Sequence, residues 1–135
     1  MRLLVMAMLV LVGIIHLLPV TGVLGSEHLG KLYGLSVNDP NLNILLRHRA
    51  VLFGLFGLFL LLAAFRPQFQ GVAFIAGFIS VVSFLLLAWS IGSYNTQLAR
   101  VFTADVVALV CLIVGGVARV YAQRLAPSSV QHGPG

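Results

Sequence analysis

The chain has 135 residues, of which 60% are hydrophobic and only 8% are charged, whereas soluble domains carry roughly 25% charged residues. With a mean hydropathy of +1.08, this composition excludes an ordinary soluble protein and predicts a polytopic membrane protein with one compact domain. The net charge is +5, but the basic residues flank apolar runs as membrane anchors do, so nucleic-acid binding is not expected. The single cysteine, Cys111, excludes an intramolecular disulfide and is expected to pack inside a helix.

Four apolar runs have about the length of 20 residues that a membrane-spanning helix requires. They predict an all-α membrane protein, folded as an antiparallel bundle of four transmembrane helices. The predicted spans form one domain over 1–125 and are 3–24, 42–65, 71–92 and 101–122. The tail 126–135 is rich in Pro, Ser and Gly and is predicted to be flexible.

The first run also has some features of a signal peptide. It follows Arg2, and small residues at its end provide an acceptable cleavage site at Val23–Gly25. The run is long for a signal core, and it contains His16 and Pro19. We therefore expect a retained helix.

The connection 25–38 predicts a short helix lying on the membrane surface. Ser26 can cap this helix, and Lys31 would lie opposite its apolar face. The apolar face is formed by Leu29, Leu32 and Tyr33. Such an interfacial helix between the first two spans would cover the polar residues described below.

Turn residues predict the remaining boundaries. Asp39 before Pro40 predicts that the second helix begins at Pro40. Pro67 ends that helix, and the short link 66–70 makes the second and third helices antiparallel neighbours. A polar turn at 93–97 precedes the fourth.

Small residues predict where the helices approach one another, because helix association in lipid depends on close packing. Gly13 lies one turn from His16 in the first span, and Gly57 lies on a stripe of small residues in the second. These stripes are expected to turn inward. The large residues lie off them and are expected to face lipid, among them Phe53 and Phe56.

Polar residues from all four spans are expected at one level of the bilayer, and they form the candidate ligand-binding site: His16, Arg47, His48, Arg49, Trp89 and Asp105. Ionisable groups in hydrocarbon are costly and usually face a bundle interior or a water-filled cavity. A buried carboxylate needs a partner, and an arginine fork can bind it through two hydrogen bonds. We therefore expect Asp105 to pair with Arg47 or, as second choice, with Arg49.

The same residues fit a purely structural interpretation. Arg47 and Arg49 would extend to the lipid headgroups. His48 would lie at the interface beside Trp89, and Asp105 would cap the fourth helix. In this interpretation the cluster has no chemical role.

Three kinds of ligand are consistent with a binding site in this cluster. A metal would use His16, His48 and Asp105, and a haem would use His16 and His48 as axial ligands. A quinone, a lipid headgroup or a small anion would bind to Arg47, His48 and Arg49, and we favour this version. No catalytic motif is present, so the sequence predicts no catalytic residue. We favour no metal site, and we leave the cofactor open while favouring none.

Short motifs between the first span and the second carry a family resemblance. They are Arg2, Gly13 to His16, Leu32-Tyr33-Gly34, Asp39-Pro40 and the segment LRHRAVLFG at 46–54. In these motifs the chain resembles the DoxX-like superfamily, in particular its branch of small four-helix membrane proteins. The resemblance implies a four-helix bundle, and relatives include membrane subunits of quinone-linked or sulfur-compound oxidoreductases and accessory or chaperone-like proteins. It favours Arg47, Arg49 and Asp105 as site residues, but redox chemistry does not carry over because the chain has no pair of cysteines.

We therefore predict a non-catalytic integral membrane protein that serves as a subunit or accessory of a larger membrane complex. Its small pocket would bind a lipid or a quinone. One alternative is a membrane subunit of a quinone-linked oxidoreductase, in which His16 and His48 contact a cofactor. The other is a structural homo-oligomer.

Orientation follows from the basic residues that flank the spans. One side has Arg2, Arg66, Arg119 and Arg124, and the other has Lys31, Arg47, Arg49 and Arg100, so the positive-inside rule gives equal counts. If Arg47 and Arg49 make internal contacts, the first side holds the excess. We thus expect the bacterial inner membrane, with both termini in the cytoplasm.

Overall fold

The computed structural model describes residues 1–125, and the regular elements in that range are all helical. They are α1 (Arg2–Leu17), a 3₁₀ segment (Leu18–Leu24), α2 (Ser26–Tyr33), α3 (Pro40–Ala64), α4 (Pro67–Ile91) and α5 (Thr96–Leu125). Four stretches of the described chain are long and apolar enough to cross a membrane: Arg2–Leu24, Pro40–Ala64, Pro67–Ile91 and Thr96–Leu125. The all-α fold with four helices of membrane-spanning length is thus confirmed. The predicted flexible tail 126–135 lies outside the described residues.

The sequence predicted one helix over 3–24, whereas the structure has an α-helix followed by a 3₁₀ segment. Pro19 has no N–H to donate to the carbonyl of Ile15, and a proline ring also crowds that carbonyl. The amide of Leu18 donates to Ile15 O instead, which is the shorter 3₁₀ spacing. The α-helix therefore ends one residue after His16, and the tighter 3₁₀ segment continues to Leu24. Gly25 follows it, with a φ of 133° that favours glycine.

The predicted start of the second spanning helix is confirmed. Asp39 is the N-cap, and its Oδ1 accepts from the amides of Asn41 at 2.7 Å and Leu42 at 3.4 Å. Pro40 occupies the first helical position, where its missing N–H costs nothing.

The next two helices begin earlier than predicted. α4 begins at Pro67, so the predicted link 66–70 is mostly helical. α5 begins at Thr96 rather than near 101, because Asn95 accepts a hydrogen bond from the amide of Leu98 at 2.9 Å. A side-chain cap can extend a helix beyond its apolar run, which is why hydropathy placed this boundary five residues late.

The main core lies between the four long helices. Its largest fully buried side chains are Leu9, Val12, Leu60 and Val81, and Cys111 packs in the same cluster as expected. The first span and α3 touch at glycines, as the small-residue stripes predicted. The close pairs are Gly13 with Leu61, Leu17 with Gly57, Val20 with Gly54, and Gly22 with Ala50. Residue numbers therefore rise along the first span as they fall along α3.

A second, smaller core attaches α2 to the bundle. Leu29, Tyr33 and Val37 are buried, and they pack against Leu46 of α3 and Leu98 of α5. The end of the bundle that carries α2 and the start of α5 is called the α2 end below.

A hydrogen bond and an ion pair also involve α2. Asn95 donates through Nδ2 to the carbonyl of Tyr33 at 2.6 Å, which links α2 to the start of α5. On the exposed face, Lys31 pairs with Glu27 at 3.1 Å. The hydrogen bond and the positive charge of Lys31 lower the pKa of Glu27 from its ordinary value of 4.5. Ser26 does not cap α2, because the N-cap position is Gly25.

Candidate functional site

A cavity of about 240 Å³ lies at the α2 end of the bundle, between α1, the 3₁₀ segment, α2, α3 and α5. Its polar lining consists of His16, Lys31, Tyr33, Arg49, Gln97, Arg100 and Asp105. Apolar side chains complete the walls, and they are Ile15, Leu18, Pro19, Leu32, Phe53, Val101 and Ala104. This cavity is called the Arg49 cavity.

His16 forms part of the inner wall of this cavity and is only 2% exposed. Nδ1 donates to the carbonyl of Val12 at 2.9 Å, which leaves Nε2 to accept from the hydroxyl of Ser80 at 3.3 Å. The ring stacks on Phe53 at 5.5 Å and meets the edge of Phe56 at 5.0 Å. Both ring nitrogens therefore bond to protein groups, which is the arrangement of a packing histidine rather than of an axial ligand.

Arg49 is held by aromatic groups rather than by a carboxylate. Its Nη1 donates to the hydroxyl of Tyr33 at 2.5 Å. The guanidinium lies 4.4 Å from the ring centroid of Phe53 and 5.5 Å from that of Tyr33, both within the range of a cation–π contact. Phe53 follows Arg49 by one helical turn, so α3 itself presents the ring beneath the guanidinium. A guanidinium has five N–H donors, and this arrangement keeps several of them available to a ligand.

Asp105 is partly buried and lines the Arg49 cavity. Within 1–125, no basic nitrogen lies within 4.0 Å of its carboxylate. The predicted pair with Arg47 is therefore wrong. Asp105 and Arg49 both line the cavity, but no direct ion pair joins them, so the second-choice pair is wrong as well.

Three of the predicted site residues lie outside the Arg49 cavity. Arg47 is exposed and donates through Nε to the carbonyl of Val23 at 2.9 Å. His48 is exposed, and Trp89 is 77% exposed. Successive residues of a helix point about 100° apart, since 3.6 residues make one turn, so only one of the three consecutive residues 47–49 can face the cavity.

The histidine sites considered from the sequence do not assemble. His16 is buried among aromatic rings, whereas His48 is exposed and does not line the Arg49 cavity. The haem ligation by His16 and His48 and the metal site of those residues with Asp105 therefore lack their geometry. In the part of the chain that the structure describes, no group of three or more His, Cys, Asp or Glu residues is placed to hold a metal ion.

The structure adds residues that sequence reasoning missed. Tyr33 was expected on the buried face of a covering helix, but not as the hydrogen-bond partner of Arg49. Phe53 and Phe56 were expected to face lipid, and instead they enclose His16. The spacing of Arg49 and Phe53 in the sequence could have indicated their contact, because residues one helical turn apart can form a cation–π pair.

A second cavity of about 310 Å³ shares the Arg49 and Tyr33 side chains as part of its wall. Its other walls are mainly apolar and come from α3, α4 and the start of α5, including Leu46, Phe84 and Leu98. The Arg49–Tyr33 pair therefore stands between two spaces at the α2 end.

Compared with models of protein families, with curated proteins and with solved structures, the chain matches none.

Proposed function

We propose that this protein is a non-catalytic integral membrane subunit or accessory protein that binds the polar head of a lipid- or quinone-like amphiphile. The observation that supports this function is the Arg49 cavity. Most of its wall surface is apolar, and the guanidinium groups of Arg49 and Arg100 line the same space as the Asp105 carboxylate without a direct ion pair to it. Mostly apolar cavities with a few placed polar groups are typical of small-molecule sites.

The charges of the cavity indicate the chemistry of the ligand. The side chains of Lys31, Arg49 and Arg100 carry hydrogen-bond donors, although Lys31 also pairs with Glu27. Among the described lining residues, Asp105 is the one carboxylate. A head rich in acceptors fits such a lining, for example the carbonyl groups of a quinone or the oxygens of a phosphate. The volume of about 240 Å³ is below the usual range of about 300–1,000 Å³, so a ring or headgroup fits inside while an apolar tail extends into the bilayer.

The same proposal includes an antiparallel four-helix bundle with α2 as its interfacial helix. The opposed numbering of the contacts between the first span and α3 supports the antiparallel arrangement. Arg47 and Arg49 both make hydrogen bonds within the protein, so the excess of free basic residues lies with Arg2, Arg66, Arg119 and Arg124. By the positive-inside rule this supports cytoplasmic termini, in a bacterial inner membrane. Membership of the DoxX-like superfamily stays a prediction from the short motifs.

The oxidoreductase alternative needs His16 and His48 at one cofactor, and the exposure of His48 removes its geometric support. The homo-oligomer alternative would use the exposed apolar surface of the spans, which contact with lipid explains equally well.

A binding experiment tests the function. The protein is reconstituted in phosphatidylcholine nanodiscs, and a short-chain benzoquinone and a short-chain phosphatidic acid are titrated separately, with binding followed by native mass spectrometry. We expect Arg49→Gln to weaken binding by about 10- to 150-fold, because hydrogen bonds to charged groups contribute about 1.5–3 kcal/mol. Arg47→Gln is the matched control, since it removes the same charge from the same helix outside the cavity.

A second variant separates binding from stability. Ala104→Leu fills the cavity without removing a charge, and it should abolish binding while the helical circular dichroism is retained. The proposal is refuted if neither probe binds to the wild-type protein, or if Arg47→Gln and Arg49→Gln weaken binding equally.

A further inference from the structure

The opposite end of the bundle also contains a cavity, of about 380 Å³, where α1 and α4 begin. Two arginines from different helices line it, Arg2 of α1 and Arg119 of α5. Pro67 and Gln70 contribute the first turn of α4. We call this space the Arg119 cavity.

Among residues 1–125, no carboxylate side chain forms an ion pair with either arginine. The acidic residues of the whole chain are Glu27, Asp39 and Asp105. Glu27 and Asp39 belong to the α2 end, and Asp105 precedes Arg119 by about 21 Å along α5 at the helical rise of about 1.5 Å per residue. Two guanidinium groups that line one cavity, with no counter-charge from the side chains of residues 1–125, repel each other and favour an anion between them.

The guanidinium of Arg119 lies beside Gly71 in the first turns of α4. A Cβ atom added to Gly71 would lie 3.4 Å from Nη2 and 3.6 Å from Nη1 of Arg119. The guanidinium therefore lies about one methyl group away from this glycine, close to the N-terminus of α4. An alanine at position 71 would touch the guanidinium at an ordinary contact distance, and a longer side chain would compete with it for space.

The start of α4 adds to the positive potential. Its N-cap is Arg66, and no side chain in the described part of the chain caps the first amides of the helix. The N-terminus of a helix carries a partial positive charge, which favours a bound anion. The side chain of Gln70 is buried and is fixed by a hydrogen bond from Nε2 to the carbonyl of Ala64 at 3.3 Å.

We propose that the Arg119 cavity binds the phosphate group of an anionic phospholipid. The cavity opens at the end of spanning helices, where headgroups lie, and basic pockets between transmembrane helices are suited to phosphate heads. Val5 and Ala122 supply apolar walls on which the glycerol and the start of an acyl chain can pack. Arg2 and Arg119 bind the phosphate oxygens from two sides, which joins the first helix to the last. The site is independent of the Arg49 cavity.

The experiment compares four arginines at the same end of the bundle. Arg2→Gln and Arg119→Gln alter the cavity, whereas Arg66→Gln and Arg124→Gln remove the same charge from residues that do not line it. Native mass spectrometry measures the affinity of each variant for phosphatidylglycerol and phosphatidylcholine. We expect the preference for phosphatidylglycerol to fall by about tenfold or more in the first pair, since each loses charge-assisted hydrogen bonds, and to stay within about twofold in the second pair.

Two further measurements make the result decisive. Arg119→Lys keeps the charge but not the fork, and it should recover part of the preference if phosphate is bound. Inorganic phosphate is titrated as a separate probe. Binding of inorganic phosphate without a preference for phosphatidylglycerol would overturn the assignment to lipid. An equal loss for all four arginines would show diffuse attraction to an anionic surface and would overturn the site itself.

Discussion

Replacement of Gly57 with alanine tests the close contact between α1 and α3, on which the position of His16 depends. A Cβ atom at residue 57 would lie 2.8 Å from Cγ of Leu17 and 3.0 Å from the carbonyl oxygen of Gly13. The leucine can change rotamer, but the carbonyl oxygen belongs to the backbone of α1. The two helices must therefore separate by a few tenths of an ångström, and the interface loses packing along its length.

Gly116→Ala is the matched control. It is the same substitution inside a spanning helix, but the nearest atom to its added Cβ is Cδ1 of Phe74 at 3.9 Å, an ordinary contact. Both variants gain up to about 1 kcal/mol of helix propensity, so this gain cancels in the comparison. The remaining difference is the cost of overpacking, about 1–3 kcal/mol, with Gly57→Ala the less stable variant.

Reversible unfolding in mixed micelles with increasing dodecyl sulfate, followed by circular dichroism, measures this difference. Equal midpoints for Gly57→Ala and Gly116→Ala would mean that the first span and α3 do not touch at these glycines. That result would refute the arrangement in which His16 reaches Phe53, Phe56 and Ser80.

Two other expected outcomes concern α2. Asn95→Ala removes both the cap of α5 and the hydrogen bond to the carbonyl of Tyr33, so it should cost about 0.5–2 kcal/mol and speed amide exchange in Ser26–Tyr33. Asn38→Ala is the control, because within the described chain the Asn38 side chain bonds only to exposed Ser36, and it should change neither the stability nor the exchange rate. Equal exchange rates in the two variants would contradict the hydrogen bond between Asn95 and α2. Lys31 lowers the pKa of Glu27, so the stabilisation of α2 by the Glu27–Lys31 ion pair should be complete above pH 4.5. It should be lost as the pH falls through the lowered pKa of Glu27. A carboxyl NMR titration should place the Glu27 midpoint below 4.5, and Lys31→Met should return it towards 4.5; an unchanged midpoint would show that the ion pair does not form.

Local signals predicted the elements that depend on local chemistry. Asp39 before Pro40 gave the start of α3 to the residue, because a cap and a first-turn proline act through neighbouring backbone groups. The effect of Pro19 is just as local, yet hydropathy alone extended the first α-helix past it. The 3₁₀ segment follows from the missing N–H and was available from the sequence.

The prediction of the candidate site was also correct only in part. Of the six predicted residues, the structure brings His16, Arg49 and Asp105 to one cavity and places Arg47, His48 and Trp89 outside it. Depth in the bilayer can be counted along a helix from its sequence, and that count put all six at one end. The direction of each side chain around its helix depends on which neighbours that helix meets, and those contacts join residues far apart in the chain.

The sequence by itself determined that this is an all-helical protein with spans of membrane length, because hydrocarbon requires each spanning segment to satisfy its own backbone hydrogen bonds. It also determined that charged groups gather near the ends of those spans, since burying them in hydrocarbon is costly. Only the tertiary structure decided that Arg49 bonds to Tyr33 rather than to Asp105, and that the guanidinium of Arg119 lies beside Gly71. Those pairings arise from close packing between helices, which depends on shape over the whole interface and has no signature in any single stretch of sequence.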